Sequence, residues 1–160
     1  MLHCLRAASD GGASRFVDGH AAAARLRHEA PDHFEMLTST DVTFRFHGDG
    51  VDLRATRPLI ELDRGGNIRA VSVNNRSMEP VRLAPATSAR FYAAYRRFVE
   101  ILDRPDFAIE ITLRSGELVA FDNRRVLHGR RAFRHTEPRH LQGCYVDMDA
   151  IRSSALLAAH

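Results

Sequence analysis

The chain has 160 residues, a length that suits one domain of ordinary size with chain enough to bury a core. Hydrophobic residues make up 44% and charged residues 27%, close to globular averages, which excludes a disordered tail or a fibrous repeat. Lys plus Arg number 23 against 20 Asp plus Glu, a net charge of +3, and the two signs are interleaved, so the basic stripe of a nucleic-acid reader is missing.

No apolar run approaches the roughly 20 residues of a membrane span, and MLHCLRAASDGG lacks a charged segment followed by an apolar one. A protein of the cytoplasm, with neither membrane nor nucleic acid as partner, is expected. Cys4 and Cys144 lack C-x-x-C spacing and read as reduced, packed thiols. Nine histidines keep metal chemistry open without locating it.

In chain order, MLHCL is a strand-like run at the very start. Asp10-Gly11-Gly12 predicts a turn, and Asp18 caps a helix over Ala21 to Arg27 that must stop before Pro31. Pro31 opens a second short helix through Leu37. From Asp41 to His47, Val42, Phe44 and Phe46 alternate with polar residues, the period of a half-buried strand. Pro58 to Leu62 and Ile68 to Val73 flank Arg64-Gly65-Gly66-Asn67 as a hairpin.

Between Ser88 and Asp103 the residues Phe91, Tyr95, Phe98 and Leu102 recur at helical spacing and predict a core-facing stripe. Phe107, Ile109, Ile111 and Leu113 alternate as a strand, Ser115-Gly116 turns the chain, and Leu118 to Phe121 reads as the return strand. His140 to Val146 is strand-like, and the tail after it is compatible with a helix. Helices do not alternate regularly with strands as a parallel sheet needs. The fold class is therefore mainly β with helical insertions, predominantly antiparallel and in one domain.

Chemistry concentrates in two blocks, FDNRRVLHGR from Phe121 to Arg130 (continuing through Arg131-Ala132-Phe133) and RHLQGCYVD from Arg139 to Asp147. Together with LHCL at 2 to 5, GGAS at 11 to 14 and FVDG at 16 to 19, they resemble the carboxy-terminal part of the γ-butyrobetaine dioxygenase family. That family lies in the TauD-like group of iron(II) and 2-oxoglutarate dependent oxygenases. The resemblance covers nearly the whole chain.

It implies a double-stranded β-helix, or jelly roll, holding Fe(II) on two histidines and one carboxylate, with open positions for 2-oxoglutarate and oxygen. Ascorbate is implied as reductant, a small betaine as substrate and a homodimer as assembly. By position, His128 matches the family's distal metal-binding histidine. Arg139 matches the arginine that grips the far carboxylate of 2-oxoglutarate with a planar fork, and Ser14 a small hydroxyl residue near that cosubstrate. Tyr145 matches an aromatic wall around a trimethylammonium group, and Asn74 of Val73-Asn74-Asn75 a contact to the substrate carboxylate. No residue is assigned a catalytic acid or base role.

Each match has a plainer alternative. His128 could be a satisfied structural histidine, Arg139 a surface arginine, Tyr145 a core residue of a strand, and Asn74-Asn75 a turn. His3, His20, His28, His33 and His47 match no ligand position, and helix capping accounts for Asp18.

The family's other two iron ligands stand in a His-x-Asp or His-x-Glu motif just upstream of the strand that here begins at Met1. His33-Phe34-Glu35 fits that pattern only formally, because it falls where the family has a helix. The resemblance thus implies residues 1–160 to be an oxygenase domain truncated on its amino-terminal side, an incomplete jelly roll. A gene remnant, a late start and half of a split gene are equally compatible. The implied activity is hydroxylation of γ-butyrobetaine to carnitine in the intact family, impaired in this chain alone. A non-catalytic remnant or subunit that binds a carboxylate or betaine is the alternative function, and trimethyllysine the alternative substrate.

Overall fold

In the computed structural model, residues 1–7, 11–130 and 139–158 are described. Among them the chain forms ten strands, four α-helices and one short 3-10 helix (Pro105–Phe107), and it divides into two compact units. One comprises Met1–Ser14, Ile111–Phe121 and Arg130–His160; the other comprises Arg15–Glu110 and Asp122–Gly129.

The first unit is built on an antiparallel sheet. Strand β1 (Leu2–Arg6) lies in the middle, with β10 (His140–Gly143) on one side and β8 (Leu118–Val119) on the other. Leu2 is opposite Gly143 and Val119. Cys4 is fully buried, and its Sγ donates to the Leu113 carbonyl at 3.4 Å. Gly116, at φ +90, turns the chain toward β8. Helix α4 (Met148–Ala158) follows and buries none of its residues. Of the expected Asp10-Gly11-Gly12 turn, Gly11 and Gly12 take positive φ, and Asp10 lies outside the described residues. Arg131, Ala132 and Phe133 lie outside them too.

The second unit packs helices over strands. Asp18 begins α1 (Gly19–Glu29) by accepting the N–H groups of His20 and Ala21, so the predicted cap is present. α2 (Pro31–Ser39) starts on Pro31, whose missing N–H costs nothing at a helix start. α3 (Pro85–Leu102) starts three residues before the predicted Ser88, again on a proline. Phe91 and Phe98 of its stripe are fully buried, as are Leu26 of α1 and Leu37 of α2, and Leu102 is nearly so. These residues form the core with Val42, Leu59, Ile60 and Val71.

Strands β2 (Ser14–Asp18), β7 (Ala108–Ile111) and β9 (Val126–Arg130) form a sheet in the order β7-β2-β9. β5 (Ile60–Leu62) and β6 (Ile68–Val71) make the hairpin that Gly65-Gly66 predicts. In its turn the Asp63 carboxylate accepts the N–H groups of Gly65 and Asn67.

Three expectations are corrected. β3 (Asp41–Gly48) pairs along its length with β4 (Val51–Pro58), a strand the sequence reading passed over although Val51, Leu53 and Ala55 alternate with Asp52, Arg54 and Thr56; six of its eight residues, these three among them, are exposed. This hairpin runs past the core, so Phe46 is 55% exposed opposite an exposed Leu53 instead of joining Val42 and Phe44 inside. Leu118 and Val119 do not return against the 107–113 segment; β8 pairs with β1, and β7 lies beside β2. β10 ends at Gly143, short of the predicted Val146.

Candidate functional site

The FDNRRVLHGR block folds as a turn followed by β9. Asp122 makes the turn: its carboxylate accepts the Arg124 N–H at 2.8 Å, and its carbonyl accepts those of Arg125 and Val126. Such self-bonding is what a short acidic side chain offers at a loop corner. The turn is then tied to β6 by the Val71 N–H, which donates to the Arg124 carbonyl at 2.8 Å. His128 stands mid-strand in β9 with its residue open to solvent. Partial desolvation still lowers its imidazole below the usual value, which favours the neutral ring with a lone pair to offer.

In the first unit, Ser14 and Arg139 come together. Arg139 Nη2 donates to Ser14 Oγ at 3.2 Å across a sequence separation of 125. Ser14 is 3% exposed, and Arg139 is half-buried. Desolvation, followed by the nearby Arg130, lowers the Arg139 guanidinium, which stays charged at any working pH. The buried Ser14 hydroxyl thus holds one edge of the half-buried guanidinium.

Tyr145 lies beyond the end of β10 and is 84% exposed, so it is not the core residue of a strand. Asn74, in the second unit, is exposed and its Oδ1 accepts the Arg76 N–H at 3.1 Å, as in a turn. Its neighbour Asn75 accepts the Tyr95 hydroxyl. Sequence reading missed the pairing of Arg125 with Asp18, whose Oδ2 accepts Arg125 Nη2 at 2.7 Å. No local pattern signals it, since 107 residues separate the two.

His33 and Glu35 belong to α2, as the helix expectation required. Among the described residues no three His, Cys, Asp or Glu side chains are grouped so as to hold a metal ion. Also among them, no helix is long and apolar enough to cross a membrane.

Residues 1–145 match the Taurine catabolism dioxygenase TauD, TfdA family. The chain belongs to that family. It is 43% identical over 98% of its length to the γ-butyrobetaine dioxygenase of Pseudomonas sp. (strain AK-1), covering 41% of that protein. Identity to the Homo sapiens γ-butyrobetaine dioxygenase is 34% over 96% of the chain and 41% of the relative. With the mitochondrial trimethyllysine dioxygenase of Gallus gallus it is 31% over 98% of the chain and 38% of the relative. The chain spans about two fifths of the length of these relatives.

Among solved structures, a taurine dioxygenase from Burkholderia xenovorans superposes with TM-score 0.66 at 20% identity, over 88% of this chain and 48% of the other. An asparagine oxygenase in complex with Fe(II), 3-hydroxyasparagine and succinate superposes with TM-score 0.63 at 23% identity, over 84% and 40%. The fold is that of the TauD-like jelly-roll oxygenases, mostly β with several helices.

Proposed function

We propose that this chain carries the carboxy-terminal part of an iron(II) and 2-oxoglutarate dependent dioxygenase that hydroxylates γ-butyrobetaine to carnitine. The supporting observation is the 43% identity to a γ-butyrobetaine dioxygenase over 98% of the chain, against 31% for a trimethyllysine dioxygenase. The family match runs without a break from 1 to 145, which favours reading both compact units as parts of one oxygenase domain.

In this reading Arg139, steadied by Ser14, receives the far carboxylate of 2-oxoglutarate through a charge-assisted fork. Tyr145 offers a ring face to a quaternary ammonium, which accepts no hydrogen bond. Asn74 serves the substrate carboxylate, and His128 offers a neutral imidazole to iron. Bound iron would supply oxygen activation, chemistry that belongs to the metal and not to side chains.

The described residues do not by themselves fit an iron site, because no second and third donor are grouped with an imidazole among them. One monodentate ligand leaves coordination number and geometry undefined. The chain alone is therefore proposed to be inactive, and no step through iron is assigned to it. The same observation favours the second reading, in which the isolated chain acts only as a carboxylate- or betaine-binding remnant or subunit.

Joining the chain to the remaining portion of the Pseudomonas relative tests the proposal. The joined enzyme should release succinate and form carnitine with Fe(II), 2-oxoglutarate and γ-butyrobetaine, whereas the chain alone should do neither. A folded joined enzyme that is silent with both betaines overturns the oxygenase reading. One that prefers trimethyllysine overturns the substrate.

A further inference from the structure

The turn that leads into β9 is gripped by the start of α1. One Asp18 oxygen accepts the N–H groups of His20 at 3.0 Å and Ala21 at 3.1 Å. The other accepts Arg125 Nη2 at 2.7 Å and Nε at 3.2 Å. Next to it, the Gly19 N–H donates to the Arg125 carbonyl at 2.9 Å. A Cβ on Gly19 would stand 2.8 Å from that carbonyl oxygen, 3.2 Å from Val71 Cβ and 3.4 Å from Leu127 Cγ.

Helix formation does not ask for this arrangement. Asn or Ser would cap α1 as well as Asp18 does, and glycine is a poor helix residue. What needs a carboxylate is the Arg125 guanidinium, whose hydrogen bond holds the Asp18 carboxyl below its usual range. What needs a glycine is the close approach of the Arg125 backbone, since a colliding carbonyl cannot swing aside like a flexible side chain.

These contacts meet where β9 begins, and His128 is three residues further on. Successive strand residues point to opposite faces, so a slip of one residue at Arg125 would turn His128 to the wrong side. We propose that Asp18 and Gly19 are positioning residues for His128: they hold Arg125 by charge and by close backbone contact, and Arg125 sets the register of β9. The inference rests on reading His128 as a site residue.

The test uses the full chain, with residue-resolved amide hydrogen exchange, the His128 ring signal in a 13C-histidine-labelled sample and the thermal midpoint. Asp18→Asn keeps the cap acceptor and removes the charge, Arg125→Gln removes the other half of the pair, and Arg125→Lys restores a cation without the fork. In Asp18→Asn and Arg125→Gln the amides of 126–129 should exchange at least tenfold faster and the His128 signal should move, with exchange across 91–102 in α3 unchanged. Arg125→Lys should recover part of the protection.

Equal acceleration in β9 and α3, or no change in β9, overturns the proposal. Gly19→Ala should act in the same direction; if it fails to fold, the nearly isosteric Asp18→Asn carries the decision. A β9 response as expected beside a folded joined enzyme that is silent with both betaines supports the grip on β9 and overturns the oxygenase reading, so the two failures are told apart.

Discussion

Arg139 donates a hydrogen bond to Ser14, and Ser14 is the buried partner of the two, at 3.2 Å and 3% exposed. The hydroxyl holds one edge of the guanidinium. Ser14→Ala removes the acceptor and should destabilise the chain by about 1.5 to 3 kcal/mol, the range for a hydrogen bond to a charged group. A denaturation cycle of Ser14→Ala with Arg139→Gln should show coupling between the sites; strictly additive losses would contradict the contact. In the joined enzyme Ser14→Ala should also weaken 2-oxoglutarate binding while leaving the affinity for γ-butyrobetaine in place.

The helical layer depends on aromatic burial. Phe98 is fully buried on α3, so Phe98→Ala should cost about 3 to 5 kcal/mol by lost transfer energy and the cavity left behind. Ile109, 62% exposed on β7, should lose only about 0.5 kcal/mol on Ile109→Ala. Urea unfolding of the two variants provides the comparison, and similar losses would show that the core is misassigned.

Acid should strip one ion-pair cluster. Glu29 accepts Arg104 at 2.8 Å and Arg97 at 2.7 Å. The Arg104 hydrogen bond, with the charges of Arg104, Arg97 and Arg25, holds its carboxyl down from 4.5 to about 2. A depressed carboxyl stabilises the fold above its ordinary value and loses that contribution as pH falls through the folded value. The urea midpoint should therefore fall between about pH 4.5 and pH 2, and Glu29→Gln should flatten that slope. An unchanged slope in the variant would place the acid sensitivity elsewhere.

The two thiols should separate by access. Cys4 is buried and Cys144 is exposed, and a thiol reagent needs an accessible thiolate. Ellman's reagent should titrate Cys144 in the folded chain and both residues in denaturant. Reaction of Cys4 under native conditions would mean that β1 opens.

What could be read from the sequence was whatever repeats locally. Asp18 and Pro31 announced helix starts, the stripe through Phe91 and Phe98 announced a core face, and Gly65-Gly66 announced a hairpin, because caps, periods and tight turns are short-range chemistry. β4 was missed although Val51, Leu53 and Ala55 alternate with Asp52, Arg54 and Thr56, a short apolar set that ends exposed to solvent and not in the core. Strand partners were invisible for another reason: nothing near Leu118 says that its neighbour is His3. The candidate site divides the same way. His128 and Arg139 stand in motif blocks that resemblance picks out, while the grip of Asp18 on Arg125 and of Ser14 on Arg139 exists only after distant segments meet.

β1 occupies the middle of its sheet, and both of its neighbours lie more than a hundred residues downstream. The Met1 amino group donates to the Cys144 carbonyl across a separation of 143 residues. On a ribosome β1 emerges before both of these neighbours and is without either of them until β8 and then β10 have followed. The hairpins and helices between can form from near neighbours, whereas the sheet around β1 pays a long loop closure before any ladder bond rewards it. Its edges are thus sealed late, and the Leu2-His3-Cys4-Leu5 run is a segment that a nascent-chain chaperone has reason to cover.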